Sequence, residues 1–283
     1  MKTEKPVYQP QLDLGFVRRG DRTIIDRRLF SWPFVITRTF WLDQCPADML
    51  TVILQTGSGA MHGEDFLAQR IWLGEGASVH LTTQGATSVH RADPGCSARE
   101  AIDISVAAGG FLEYLPEPRI LFPDAALSQS IDINCAANAT AIVSDAFTVY
   151  DPENRGRSFQ RMEATTRLRI DGGQPVMVDR LDITNLSSGR RQAQYTSYGS
   201  MILVAAKPVE TLERLSLQIS ARMESIPNLY AAASVLPGQA GVGVKLAGGD
   251  LRSLRAGLEV AWTAFRIHCC GATPPSRRKA DAA

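Results

Sequence analysis

Four histidines and five cysteines are the residues in this chain most suited to binding a metal or attacking a substrate. His62 lies in Gly57-Ser58-Gly59-Ala60-Met61-His62-Gly63-Glu64-Asp65, just ahead of two carboxylates. Imidazole and carboxylate suit a borderline metal such as nickel, zinc or copper, and a glycine-rich turn lets ligands approach closely. His62, Glu64 and Asp65 therefore form a candidate metal site. Three ligands on a turn would bind weakly, which favours handing a metal on over storing it. The competing reading is a plain turn capped by its own acids. His268 precedes Cys269-Cys270, a weaker candidate because adjacent side chains point in different directions. His80 falls on the polar side of an alternating strand and is expected at the surface. Cys45, Cys96 and Cys135 are irregularly spaced and no C-x-x-C occurs, which argues against a disulfide framework or a structural zinc site.

Other catalytic signatures are missing. The glycine loop has no Gly-Lys-Ser/Thr ending, and its glycines miss the dinucleotide spacing. No G-x-S-x-G or H-E-x-x-H stands anywhere in the chain. Carboxylate catalysis needs two acids sharing a cleft, and Glu113, Glu117 and Asp124 are the candidates for such a hydrolase. That enzyme is the rival to a binding role, with a stand-alone metal-binding protein as a third reading.

The elements that would position these residues are mostly strands. Ala77, Val79 and Leu81 alternate with Ser78, His80 and Thr82; Ile102, Ile104 and Val106 repeat the pattern, as do Ile131, Ile133 and Cys135. Leu168 and Ile170 run into Asp171-Gly172-Gly173, with Val176 and Val178 beyond, which predicts a hairpin. With no βαβ rhythm, the strands are expected to form stacked antiparallel sheets. Two helices follow near the C-terminus. Pro208 suits a first helical position before Leu212, Leu215, Ile219 and Met223. Asp250 suits an N-cap before Leu251, Leu254, Leu258, Trp262 and Phe265. No internal repeat of fixed period is visible. The expectation is one mainly β domain over residues 1–270 and a disordered tail over residues 271–283.

Hydrophobic residues make up 45% of the chain and charged residues 21%, enough apolar surface for a sizeable core. Thirty Lys+Arg balance 29 Asp+Glu, so no strong field draws nucleic acid or an anionic membrane. Met1-Lys2-Thr3-Glu4-Lys5-Pro6 lacks the apolar stretch of a signal peptide, and no apolar run is long enough to span a bilayer. The expected location is cytoplasmic.

Two segments resemble a known family. Leu81-Thr82-Thr83-Gln84-Gly85-Ala86-Thr87-Ser88-Val89-His90-Arg91 is similar to the Thr-Thr-Gln-x-Ala-Thr-Lys-x-Tyr-Arg signature of the UreD (UreH) urease accessory proteins. Leu112-Glu113-Tyr114-Leu115-Pro116-Glu117-Pro118-Arg119-Ile120-Leu121-Phe122 resembles that family's Leu-Glu-Trp-Leu-Pro-x-x-x-Ile-x-Phe stretch. The glycine loop resembles its Gly-Gly-x-x-Gly-Gly-Asp turn, with Ser58 for the first glycine and Glu64 in place of the Asp. Asp65 takes that place if the loop shifts by one residue. Ser88 replaces a Lys and His90 a Tyr, which marks a divergent member.

The resemblance implies a β-helix-like stack of sheets with two C-terminal helices and no catalytic residues. It implies a non-catalytic urease maturation factor, a chaperone that scaffolds a UreF-like protein and the GTPase UreG on apo-urease for nickel insertion. No firmly bound cofactor is expected, only transient nickel at His62, Glu64 and Asp65, or a partner docking on the same loop. Leu112, Tyr114, Leu115, Ile120 and Phe122 are expected to be buried, with Pro116 and Pro118 bending the chain.

Overall fold

A computed structural model describes residues 9–184 and 194–275. The charged residues 2–5 and the basic run Arg277-Arg278-Lys279 lie outside the described residues. The chain opens with an antiparallel hairpin, β1 (Leu12–Arg19) and β2 (Arg22–Phe30), followed by the short β3 (Phe34–Val35) and β4 (Thr39–Phe40). It then winds in coils. The first holds β5 (Leu50–Thr56), β6 (Ala60–Met61) and β7 (Phe66–Leu73). The second holds β8 (Ser78–Thr83), β9 (Ser88–Val89) and β10 (Ala98–Val106). The third holds β11 (Phe111–Leu115), β12 (Arg119–Leu121) and β13 (Ala126–Cys135). The fourth is β14 (Thr140–Val149) and β15 (Arg161–Ile170); β14 pairs with β11 through its first residues and with β12 through its last.

Equivalent strands of successive coils pair in parallel. One face is the row β5, β8, β11 and β14. A second is β7, β10, β13 and β15, and a short third face is β6, β9 and β12. The antiparallel arrangement expected from the missing βαβ rhythm is therefore wrong for the central strands. Parallel neighbours need a long crossover. In a coil the strand of the opposite face supplies it, so no helix is required. Antiparallel pairing closes the ends of the stack, where β15 turns into β16 (Pro175–Thr184) and β14 meets β17 (Ser197–Val204). The β15–β16 hairpin turns where predicted, with Asp171 and Gly172 both at positive φ. The coils differ in length and share only apolar character, so no fixed period marks them.

The C-terminal segment adds α1 (Val209–Met223), β18 (Leu229–Val235), β19 (Gly241–Gly248) and α2 (Leu251–Cys270). Pro208 stands at the N-cap of α1, one residue before the first helical position expected for it. Asp250 caps α2, its side chain accepting a hydrogen bond from Ser253 N at 2.7 Å. Among the described residues seven strands make one sheet and twelve the other. Ile71, Ile102, Ile104, Ile131 and Leu168 of the first pack against Val79, Leu81, Leu112 and Tyr114 of the second. The outer face of the larger sheet is covered too, because Leu212, Leu215, Ile219, Leu254 and Phe265 of the helices pack onto Ile142, Met201, Leu203 and Val244. A sheet buried on both sides does not show a clean polar face. This corrects the placing of His80 at the surface: it is only 2% exposed, beneath α2.

Leu112 and Tyr114 are buried as expected, but Leu115, Ile120 and Phe122 are half-buried. Between Ile120 and Phe122 the buried residue is Leu121, while Phe122 faces outward on the third side of the coil. Leu121→Ala should therefore lower the unfolding free energy by about 2–5 kcal/mol, and Phe122→Ala by clearly less. Urea unfolding of the two variants checks this; an equal or larger loss for Phe122→Ala would contradict the placement.

Candidate functional site

Thr82 Oγ1 donates to Leu115 O at 2.7 Å, and Glu117 N donates to Thr83 Oγ1 at 2.9 Å. The two family-like segments therefore lie on adjacent coils and are stitched together by the threonines. Their residues fix where the chain leaves the larger sheet.

Beneath them lies the strongest charged cluster. Glu113 on β11 and Arg266 on α2 are both fully buried. Arg266 grips the carboxylate with two parallel bonds, Nε to Oε1 and Nη2 to Oε2, each 2.6 Å. Its Nη1 donates to Asp43 Oδ1 at 2.7 Å and to Cys45 O at 3.1 Å. His80 Nδ1 lies 2.7 Å from Glu113 Oε2, and Trp262 Nε1 donates to Oε1 at 2.8 Å. Burial pushes the Glu113 carboxyl up, but the hydrogen bonds and charges of His80 and Arg266 outweigh it and hold it at about 2. A carboxylate so fully bonded has no lone pair left for a substrate proton. The cluster bolts α2 to the sheet.

A second buried polar row runs between the sheets. Glu100 accepts from Gln69 Nε2 and Gln129 Nε2, each at 2.9 Å, and pairs closely with Arg119. Asp145 Oδ1 stands 3.7 Å from Arg119, and burial raises the Asp145 carboxyl against that attraction. Asp145 also lines a cleft of about 250 Å³ between the ends of the sheets, walled by Phe147, Leu181, Tyr198 and Tyr230. The Asp179–Lys245 ion pair joins the two sheets there.

The carboxylates proposed for a hydrolase do not converge. Glu113 is bound to Arg266, Glu117 pairs with Arg255 at 2.5 Å, and Asp124 pairs with Arg157 at 2.8 Å. Each acid has its own cation, Arg266 and Arg255 on α2 and Arg157 outside it.

The glycine loop runs from β5 to β7 and contains the short β6. Asp65 Oδ2 accepts from His62 N at 2.7 Å, and Asp65 N donates to His62 O at 3.1 Å, so the acid caps its own turn. Glu64 turns away at φ 79°, and its Oε1 accepts from Cys96 Sγ at 3.2 Å, which raises the Cys96 thiol. Gly63 is required by packing, since a Cβ there would sit 2.6 Å from Ala92 Cα. The His62 ring stacks on His90, with centroids 5.0 Å apart and planes 15° from parallel. Among the described residues no three His, Cys, Asp or Glu side chains are grouped to hold one ion.

His268, Cys269 and Cys270 end α2. His268 Nε2 is buried without a hydrogen-bond partner, and burial lowers that imidazole's pKa. Burial pushes the Cys269 thiol up to about 12 and the Cys270 thiol to about 11, which disfavours thiolate ligands near neutral pH. Arg266 and Asp43 escaped the sequence reading, which placed Trp262 only on an apolar helix stripe and Arg119 only within a family-like stretch. The one signal was a charged residue between Phe265 and Ile267 on an otherwise apolar helix face.

The profile of the UreD urease accessory protein family matches residues 9–281. The chain belongs to the UreD family. Among its curated relatives, urease accessory protein UreD 2 of Bradyrhizobium sp. strain BTAi1 is 51% identical over 254 residues, covering 88% of this chain and 87% of the relative. UreD 2 of Bradyrhizobium sp. strain ORS 278 is 48% identical, covering 97% of this chain and 95% of its own. UreD of the archaeon Haloarcula marismortui is 32% identical, covering 95% and 89%. The coiled sheets and two helices agree with the architecture that the resemblance implied for this UreD-family chain. Among the described residues no helix is long and apolar enough to cross a membrane.

Proposed function

We propose that this chain is a non-catalytic urease maturation factor. In this reading it scaffolds a UreF-like protein and a UreG-like GTPase on apo-urease in the cytoplasm while nickel enters the active site. The observation that carries it is the match to the UreD family along nearly the whole chain, with relatives named as urease accessory proteins. The geometry is in keeping with it, because Glu113, Asp43, Glu117 and Asp124 are each tied to an arginine. The His62, Glu64 and Asp65 loop is the exposed place on this chain for transient nickel contact or for partner docking. Nickel is here a cargo and not a resident cofactor.

Removing the chain from a urease-producing host should leave urease polypeptide at its usual level but with little nickel and little activity. Co-expression with the UreF-like protein should make the two co-elute in size-exclusion chromatography. Fully metallated urease in the deleted host, or a monomer that never co-elutes with that protein or apo-urease, would overturn the reading.

A further inference from the structure

The coil register sets a row of rings on the third face. Met61 pairs with Val89, Val89 with Leu121, and Leu121 with Val149. The next residue on each segment is His62, His90, Phe122 and Tyr150, and the backbone bonds His90 N to Met61 O, Phe122 N to Val89 O and Tyr150 N to Leu121 O continue the ladder. Phe122 lies 4.8 Å from His90 and 5.5 Å from Tyr150, centroid to centroid. Each ring is thus held by its neighbour along a stack one strand apart, the spacing of a β-ladder.

Two members of this row are imidazoles, and they are adjacent. No described residue hydrogen-bonds either ring. Their nitrogens are therefore open for coordination. His90 is backed by Phe122, so its ring is fixed on one side and faces His62 on the other. His62 is exposed and turns at little cost. Metal–imidazole bonds are about 2.0–2.1 Å and lie in the ring plane, so one ion reaches both rings once the exposed His62 rotates its ring out of the stack and turns an in-plane nitrogen toward that of His90. The nearby acids are occupied, Asp65 by His62 N and Glu64 by Cys96.

We infer that His62 and His90 form a two-imidazole site for a borderline divalent transition metal, of the class copper(II), nickel(II) or zinc(II). With two protein ligands the site holds its ion loosely and leaves positions open for solvent or a partner's side chain. The inference rests on the maturation reading only for the use of the metal, and not for its binding.

The test titrates the purified full-length chain with nickel(II) by calorimetry and with copper(II) by electron paramagnetic resonance. His62→Phe and His90→Phe keep a stacked ring while removing the ligand. Each is expected to weaken binding by about tenfold or more, since even outer-shell changes cost that much. The copper(II) spectrum should show two nitrogen ligands in the parent and one in either variant. A Glu64→Ala/Asp65→Ala double variant should retain both nitrogens. Unchanged affinity in His90→Phe, loss confined to the Glu64→Ala/Asp65→Ala variant, or a parent spectrum without two nitrogens would overturn the site. Urease activation is measured separately. A chain that activates urease without this site removes only the present inference; one that binds metal here but never activates urease removes only the maturation reading.

Discussion

Arg266→Met should lower the unfolding free energy by about 3–5 kcal/mol, because it strands buried carboxylates without their cation. The variant keeps the apolar stem of the side chain and loses only the guanidinium head, so lost packing is the smaller part of the effect. What remains is Glu113 with only His80 and Trp262, and Asp43 without the Arg266 bond. Against a total stability of about 5–15 kcal/mol for a typical domain, such a loss is a large fraction of the whole. Arg266→Lys keeps the charge but loses the fork, and should fall between parent and Arg266→Met. Urea midpoints of the three proteins decide it. A midpoint for Arg266→Met within error of the parent would show that the cluster is not what holds α2 down.

The same cluster sets an acid limit. The Glu113 pKa is depressed from 4.5 to about 2 in the folded chain, so the unfolded chain binds the proton more readily. Its contribution is present above pH 4.5 and is lost as the pH falls from there toward 2. Unfolding free energy measured across that window should decline more steeply in the parent than in Glu113→Gln, which has no carboxyl to titrate.

How much of this was legible beforehand follows from which interactions are local. The strand runs around Val79, Ile102 and Ile131 and the helix stripes of Leu212 and Leu254 were readable, because periodicity reports which face an element buries. The parallel pairing was not, since a strand's composition does not name its neighbour. His80 was misplaced for a related reason: alternation marks it as polar, and only the distant α2 makes its face an interior. Phe122 shows the converse case, an aromatic residue left half-buried because the inward position beside it is taken by Leu121. Of the candidate site, His62, Glu64 and Asp65 were visible as a loop, but their hydrogen bonds were not. His90 was noticed only as a departure from the family's Tyr, and its contact with His62 depends on the register of two short strands.

The row between the sheets separates two uses of buried charge. Arg119→Met alone should cost about 3–5 kcal/mol, since Glu100 would keep its two glutamine bonds but lose the cation paired with it. Asp145 would suffer less, because burial already favours its neutral form. The double variant Glu100→Met/Arg119→Met removes the pair together and fills similar volume with apolar atoms. Replacing a whole buried pair in this way is often neutral or stabilising by about 1–4 kcal/mol, because two desolvation penalties vanish with the one attraction. The double variant should therefore recover most of the stability lost by Arg119→Met. Two glutamines would then face apolar neighbours, and each amide left unbonded costs about 1–3 kcal/mol, so recovery should stop short of a gain. Adding Gln69→Leu and Gln129→Leu should lift that remainder. Thermal and urea unfolding of the series gives the order: single variant lowest, double higher, quadruple highest. A double variant no more stable than Arg119→Met would show that the Glu100–Arg119 pair contributes more attraction than its burial takes away.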